Sequence, residues 1–161
     1  MKNYKWIVLF TNLLVLLLFV NSSIYKKEQL LSKGRLILLE LAPVDPRSLM
    51  QGDYMRLRYK ISESFSPDSI AKRGYIVVHL EASGLAEKLR VQADKTPLNP
   101  EEYLIEYSTG NWSMNIGAES YFFQEGQSEK YAKAKYGGIK VDDNGNSLLI
   151  GLYDEMLVKI D

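Results

Sequence analysis

The distribution of apolar residues divides this chain into an N-terminal segment and a longer body with a different period. Residues Trp6 to Val20 form an apolar run that only Thr11 and Asn12 interrupt, and no charge lies between Trp6 and Tyr25. As a helix, Trp6 to Tyr25 would be about 30 Å long, which matches the hydrocarbon thickness of a bilayer. This segment therefore predicts a transmembrane anchor.

A cleavable signal peptide is the alternative interpretation of the same segment. Basic residues precede the apolar run, and the small residues Ser22 and Ser23 follow it. However, no Ala-x-Ala cleavage pattern is present, and Ile24 to Leu31 continues with residues that a helix tolerates. The uncleaved anchor is therefore favoured. Lysines flank both ends of the segment, so the positive-inside rule does not decide its orientation.

In the body, apolar and polar residues alternate in short runs bounded by glycine, proline and polar turns, which is the pattern of β-strands. Gly74 to Glu81 gives the strongest strand signal, and Ala86 to Ala93 is its predicted hairpin partner after a turn at Gly84. Further strands are predicted over Arg35–Leu41, Asp53–Ile61, Tyr103–Tyr107, Trp112–Ile116, Gly138–Asp142 and Ser147–Tyr153, with an edge strand over Met156–Ile160.

Two helical segments are predicted besides the anchor. Lys26 to Gly34 is predicted as a short stalk that Gly34 caps, and Gln127 to Tyr136 as a helix between Ser128 and Gly137. The resulting fold class is mainly β within an α+β arrangement. We expect an antiparallel, strand-rich domain, either a partly closed barrel or a sandwich with the short helix across an open end.

The predicted organisation has three parts. Residues 1–25 form the cytoplasmic N-terminus and anchor, residues 26–34 the stalk, and residues 35–161 the strand-rich domain. The 161 residues, 46% of them hydrophobic, are enough for one domain with a core. Basic and acidic residues balance at 20 each, which argues against a nucleic-acid partner. The lack of cysteine excludes disulfides and thiolate chemistry.

One strand, Asp53 to Ile61, has two faces of different character. Alternation places Asp53, Met55, Leu57 and Tyr59 on one face and Tyr54, Arg56, Arg58 and Lys60 on the other. We predict that the first face is core and the second faces solvent. A tyrosine beside two arginines is typical of a contact surface, since both residue types are enriched at interfaces. From the sequence alone, an ordinary solvent-exposed face of a strand is the favoured interpretation, and the contact surface is the alternative.

The turn before this strand carries a second group of polar residues. Asp45, Arg47 and Asp53 could together clamp a peptide terminus or bind a cation. In the favoured structural interpretation, Asp45 accepts a backbone N–H before Pro46, and Arg47 pairs with Asp53.

The stretch from Gly52 to Tyr59 also resembles a known family. Gly52, Asp53, Tyr54, Leu57 and Tyr59 occupy every fixed position of the motif that names the GDYxxLxY family, a family of membrane-anchored proteins. The preceding Pro-Val-Asp-Pro-Arg and the later order of strand, Glu-Gly, short helix and hairpin are similar too. The resemblance implies a single-pass protein of the bacterial cytoplasmic (inner) membrane with its body outside the cytoplasm. It also implies an integral, multi-pass membrane protein as partner. A body on the cytoplasmic face is the alternative.

The remaining candidates for chemistry are few. His79 is the single histidine and cannot build a multi-histidine metal site. The pairs Glu101-Glu102 and Asp142-Asp143 are predicted as a solvated loop and a hairpin turn. A Ser-Lys hydrolase similar to bacterial signal peptidases would need Ser48 and Lys72, because Val44 stands where those enzymes carry the nucleophile.

The sequence thus predicts a non-catalytic, membrane-anchored, extracytoplasmic binding or accessory protein. Residues 6–25 would contact lipid, and neither a metal, a cofactor nor nucleic acid is expected. A membrane hydrolase and a periplasmic binder of a small ligand are the alternatives. The candidate binding residues are Asp45, Arg47, Gly52, Asp53, Tyr54, Arg56, Leu57, Arg58 and Tyr59.

Overall fold

An exposed N-terminal helix leads into a body of antiparallel strands in the computed structural model, which describes residues 3–42, 54–63, 71–110, 113–124 and 126–160. Helix α1 runs without interruption over Asn3–Lys33, so one helix contains both the predicted anchor and the predicted stalk. Each side chain from Tyr4 to Glu28 is exposed. The helix is long and apolar enough to span a membrane.

The junction between α1 and the body is tightly built. Leu30 is buried, and the Gly34 N–H donates to the Leu30 carbonyl at 2.9 Å. The Lys140 ammonium in turn donates to the Gly34 carbonyl at 2.8 Å. Gly34 ends the helix as predicted but without the left-handed conformation of a glycine cap. Glycine is required there because a Cβ would lie 2.3 Å from the Leu30 oxygen.

The described strands form three sheets, and neighbouring strands within each sheet are antiparallel. The strands are β1 Arg35–Glu40, β2 Tyr54–Arg56, β3 Arg73–Leu80, β4 Ala86–Gln92, β5 Glu102–Thr109, β6 Met114–Asn115, β7 Ser120–Phe122, β8 Tyr136–Val141 and β9 Ser147–Tyr153. The sheet orders are β1-β8-β9, β2-β7 and β4-β3-β5-β6. No sheet among the described strands closes into a barrel. The mainly β prediction is confirmed, and of its two architectures the fold is consistent with the sandwich.

The core lies between the sheets and is built by alternate residues of their strands. Ile37 and Leu39 of β1 are fully buried, and so are Ile76 of β3 and Ile105 of β5. Their polar neighbours, such as Glu40 and Glu106, point to solvent. Burying an aliphatic side chain contributes roughly 1.5–3 kcal/mol, so these strands hold the sheets together mainly by hydrophobic packing.

Two predicted elements are shorter than expected. The helix predicted over Gln127–Tyr136 is only α2, Ser128–Tyr131, and Tyr136 already belongs to β8. The pairing of β8 with β1 explains why the helix does not reach Tyr136, because Tyr136 lies opposite Glu40 in the β1–β8 ladder. Tertiary pairing thus overrides the local helix preference. The predicted edge strand over Met156–Ile160 is reduced to a single bridge between Tyr153 and Lys159.

An ion pair fastens the loop between β4 and β5. Arg90 donates two hydrogen bonds of 2.7 Å to the Glu102 carboxylate and a third, of 2.9 Å, to the Pro97 carbonyl. The Asn99 backbone N–H also donates to Glu102 at 2.9 Å. The prediction of a solvated loop carboxylate is therefore wrong for Glu102, which lies in β5 and fixes the loop. These bonds, led by the one from Arg90, lower the pKa of Glu102 to about 2.

The lowered pKa of Glu102 predicts that the folded protein loses stability in acid. Folding lowers the Glu102 pKa from its ordinary value near 4.5, so the ionised carboxylate stabilises the fold above about pH 4.5. That stabilisation is lost as the pH falls towards 2. We expect Glu102→Gln to be less stable than wild type at pH 7, with the difference shrinking below pH 4 in urea unfolding. The exposed neighbour Glu101→Gln is the control, and a pH-independent difference for Glu102→Gln would contradict this role.

Candidate functional site

The motif segment, which the structure describes from Tyr54 to Tyr59, changes its hydrogen-bonding partners along its length. It is therefore not one long strand. Met55 lies opposite Tyr121 in the β2–β7 pair, and the Leu57 N–H donates to the Glu119 carbonyl at 2.7 Å. One residue later the partner changes, because the Arg58 carbonyl accepts from the Ala42 N–H at 2.8 Å. Within the described part of the predicted strand Asp53–Ile61, the structure forms β2, a single bridge between Tyr59 and Leu41, and a short 3₁₀ turn from Lys60.

The predicted alternation of faces is confirmed where the structure describes it. Met55 and Leu57 are each 2% exposed and Tyr59 is 1% exposed, whereas Arg56 and Arg58 are exposed. Only the backbone of Tyr54 is described, so the outward direction of its side chain stays a prediction. The remaining predicted site residues lie outside the described residues, namely Asp45, Arg47, Gly52 and Asp53.

Tyr59 anchors the motif segment in the core. Its hydroxyl donates to the Ala118 carbonyl at 2.6 Å. Burial, and to a lesser extent the Glu119 carboxylate, raise the pKa of Tyr59 well above its ordinary value, so the phenol remains a proton donor. Gly137 of β8 lies against the ring, where a Cβ would come within 2.8 Å of the Tyr59 Cε1 atom. Tyr59 is therefore a structural residue of the motif.

Beside this segment lies a cleft of about 380 Å³, here called the motif cleft. The end of β1 forms one wall, and the segment that joins α2 to β8 forms another. Its buried apolar lining includes Met55, Leu57 and Tyr131. The Leu41 N–H donates to the Lys135 carbonyl at 2.8 Å, which fixes Lys135 at the edge of the cleft.

The rim of the motif cleft is cationic. Arg58, Lys60 and Lys135 line it together with one carboxylate, Glu40, which gives the described lining a net charge of +2. Lys60 pairs with Glu40 at 3.0 Å, but both side chains are more than half exposed, so this pair contributes little stability. The cleft therefore combines an apolar floor with positive charge, a combination suited to an acidic segment that inserts an apolar side chain.

An aromatic cluster holds the α2 wall of the cleft in place. The Tyr131 ring meets the Tyr121 ring edge-on at 5.1 Å and the Phe123 ring at 5.3 Å. Such contacts add roughly 0.5–1.5 kcal/mol per pair to the burial of the rings. A helix of only four residues needs this support, because isolated short helices are unstable in water.

The motif cleft lies at the end of the body that is far from α1. Strand β1 starts beside the helix, where Arg35 lies opposite Val141, and ends at the cleft, where Glu40 lies opposite Tyr136. Six residues of strand span about 20 Å. At the opposite end, Gly145 in the β8–β9 turn shares a cavity with Lys27 of α1. The hairpin tip thus lies beside the helix, and the cleft lies at the other end of the β1–β8 ladder.

The other predicted sites have structural settings in the described residues. His79 is half-buried in β3, opposite Glu87 and Glu102. Asp142 accepts backbone hydrogen bonds of 2.9 Å from Asn144 and Asn146, so it shapes the predicted hairpin turn. No cluster of three potential His, Asp or Glu metal ligands occurs among the described residues. Ser48 lies outside them.

Sequence reasoning missed most of the cleft. Glu40 and Lys135 were not singled out, because they are distant in sequence from the motif and no local pattern relates them to it. Tyr131 gave only a partial signal, since it lies within the segment Gln127 to Tyr136 that is predicted as a helix. What joins these residues is the β1–β8 pairing, which a single sequence does not show.

Comparison with known proteins identifies a family. The sequence profile of the GDYXXLXY protein family matches residues 16–152, which include the second half of α1 and nearly the whole body. The chain belongs to the GDYXXLXY family. Neither a curated protein nor a solved structure matches it significantly. In this GDYXXLXY protein, Leu57 and Tyr59 of the family motif are core residues that join two sheets, and Arg58 between them reaches the motif cleft.

Proposed function

We propose that this GDYXXLXY protein is a non-catalytic accessory protein of the bacterial cytoplasmic membrane. In this proposal α1 spans the membrane, the body lies outside the cytoplasm, and the motif cleft binds a multi-pass membrane protein. The observation that carries the proposal is the arrangement of two unlike surfaces on one molecule. An exposed apolar helix stands at one end, and a cationic cleft with an apolar floor opens at the other.

The exposure of α1 supports its placement in lipid. Apolar side chains from Trp6 to Tyr25 are exposed on all sides of the helix, whereas the core helix of a soluble protein would bury one face. In water these side chains would form an unusually large apolar surface. A bilayer would cover all sides of α1. The end of α1 then packs on the body through the buried Leu30 side chain.

The location of the cleft defines what kind of partner segment can reach it. About 12 Å of helix separates Tyr25 from Lys33, and β1 adds about 20 Å before the cleft. A multi-pass partner would therefore contact the cleft through an extracytoplasmic loop or domain rather than through its membrane helices. Charge complementarity favours an acidic segment, because the cleft lining is net positive.

Reversing charge at the rim tests this proposal. Arg58→Glu and Lys135→Glu should each reduce co-purification of the partner from detergent-solubilised native membranes by about tenfold or more, since like charges across an interface cost several kcal/mol. Lys133→Glu is the matched control, because Lys133 is exposed on the same segment but does not line the cleft. Partner recovery that is equal for all three variants and the wild type would contradict the proposed surface.

A further inference from the structure

A second cavity, of about 290 Å³, lies at the end of the body next to α1. We call it the helix-side cavity. Lys27 of α1 lines it from one side, and strands β3, β5 and β6 and the β8–β9 turn line it from the other. The side chains that matter for its chemistry are Lys27, Arg73, Glu106, Ser108, Asn115 and Asn146.

The walls of this cavity are held by bonds between the turn and the neighbouring strands. The Glu106 N–H donates to the Gly145 carbonyl at 2.8 Å, and the Ser147 hydroxyl donates to the Ile116 carbonyl at 2.5 Å. Asn146 donates its side-chain amide to Asp142 at 2.8 Å. The cavity therefore has fixed walls made by residues distant in sequence.

The position of Lys27 relates the cavity to the membrane, and this step rests on the proposed function. Lys27 follows Tyr25, the last residue of the uncharged span, by two residues, which is about 3 Å along a helix. The headgroup layer extends roughly 5–7 Å beyond each face of the hydrocarbon core. With Trp6 to Tyr25 in the core, the helix-side cavity lies at the level of the lipid phosphates.

The chemistry of the cavity matches a phosphate diester. Lys27 and Arg73 are exposed, and neither forms an ion pair with another described residue. Ser108 and Asn115 add a neutral hydroxyl and an amide as hydrogen-bond donors. Glu106 also lines the cavity, so the described lining carries a net charge of +1, which one phosphodiester charge balances. Arginine is well suited to this task, because its planar guanidinium can donate two hydrogen bonds to one phosphate.

We propose that the helix-side cavity binds the headgroup phosphate of a membrane phospholipid. Arg73 and Lys27 hold the phosphate from the body and from the anchor, respectively. The lipid thereby joins the two parts and holds the body upright on the membrane, with the motif cleft directed outward.

Native mass spectrometry of the full-length protein in detergent tests the proposal through the lipids that stay bound. Phosphatidylglycerol is one probe, a glycolipid with the same acyl chains and no phosphate is the second, and inorganic phosphate is the third. We expect retention of phosphatidylglycerol alone. Lys27→Gln/Arg73→Gln should lower that retention by about tenfold or more, since it removes both positive charges that attract the anionic headgroup. Lys130→Gln/Lys133→Gln removes two exposed charges that line neither the motif cleft nor the helix-side cavity, and it should leave retention unchanged.

Each other outcome overturns the proposal. Equal retention of the glycolipid means that the acyl chains alone are bound, and equal retention by the Lys27/Arg73 variant means that the cavity is not the site. Displacement of the lipid by inorganic phosphate at millimolar concentration identifies free phosphate as the ligand. Alkaline extraction of membranes tests separately whether α1 spans the membrane. A chain without a membrane span is released by this treatment, whatever lipid it binds.

Discussion

Tyr59→Ala will lower the free energy of unfolding by about 3–5 kcal/mol, the usual range for removing a buried aromatic side chain. The ring is 1% exposed and packs in the shared core where the motif segment passes between two sheets. Tyr59→Phe keeps the ring but leaves the Ala118 carbonyl without its hydrogen bond of 2.6 Å, so about 1–3 kcal/mol should be lost. Urea unfolding of the full-length protein in detergent, followed by circular dichroism, measures both changes.

A double-mutant cycle with Gly137 separates packing from other causes. Gly137→Ala places a Cβ 2.8 Å from the Tyr59 ring and should cost about 1–3 kcal/mol by itself. In the Tyr59→Ala background the same methyl group fits, so the double variant should be more stable than the sum of the single effects predicts. Tyr103→Phe, which removes the hydroxyl of a half-buried tyrosine, is the control for Tyr59→Phe. Additive effects at Tyr59 and Gly137 would show that the two residues do not contact each other.

Leu16→Arg will release the protein from the membrane fraction. Leu16 lies near the middle of the uncharged span, where replacing leucine by arginine costs about 3 kcal/mol of insertion free energy. We expect a large loss of protein from alkali-washed membranes, measured by immunoblotting of pellet and supernatant. The loss should be large because the described part of the chain has no second candidate span that could keep the protein in the membrane.

Leu98→Arg is the matched control for this substitution. Leu98 is 42% exposed in the loop between β4 and β5, where an arginine side chain meets water. Its membrane fraction should equal that of the wild type. Equal membrane retention of Leu16→Arg, or a mature N-terminus near Ser22 in the wild type, would contradict the proposal that α1 is an uncleaved anchor.

Strands with strong alternation were predictable from the sequence alone. Gly74–Glu81 became β3, Arg73–Leu80, and Ala86–Ala93 became β4, Ala86–Gln92, both within one residue. Ile76 and Val78 of β3 are fully buried and Val91 of β4 packs against the core, although Leu89 of β4 is exposed. The turn at Gly84 has a positive φ of 85°, as a glycine turn allows. Agreement between local pattern and tertiary packing also explains why the buried face of the motif, with Leu57 and Tyr59, was predicted correctly.

Elements that depend on distant partners were harder to predict. The motif segment has a strand pattern through Ile61, but its pairing with the β7 side ends at Leu57, and Leu41 and Ala42, directly after β1, are its next partners. Likewise, the sequence around Tyr136 favours a helix, and only its ladder with Glu40 makes it a strand. The motif cleft and the helix-side cavity both arise from such pairings, so the single sequence indicated Arg58 but not the shape of either site.

Photocrosslinking in native membranes tests the central claim most directly. A photoreactive amino acid at Ala132, which is exposed and lines the motif cleft, should form an adduct with an integral membrane protein, and Arg58→Glu should abolish that adduct. The same group at Leu89, an exposed position on β4 outside the cleft, should give none of it. Adducts that are equal at both positions, or that persist with Arg58→Glu, would contradict an accessory role through the motif cleft.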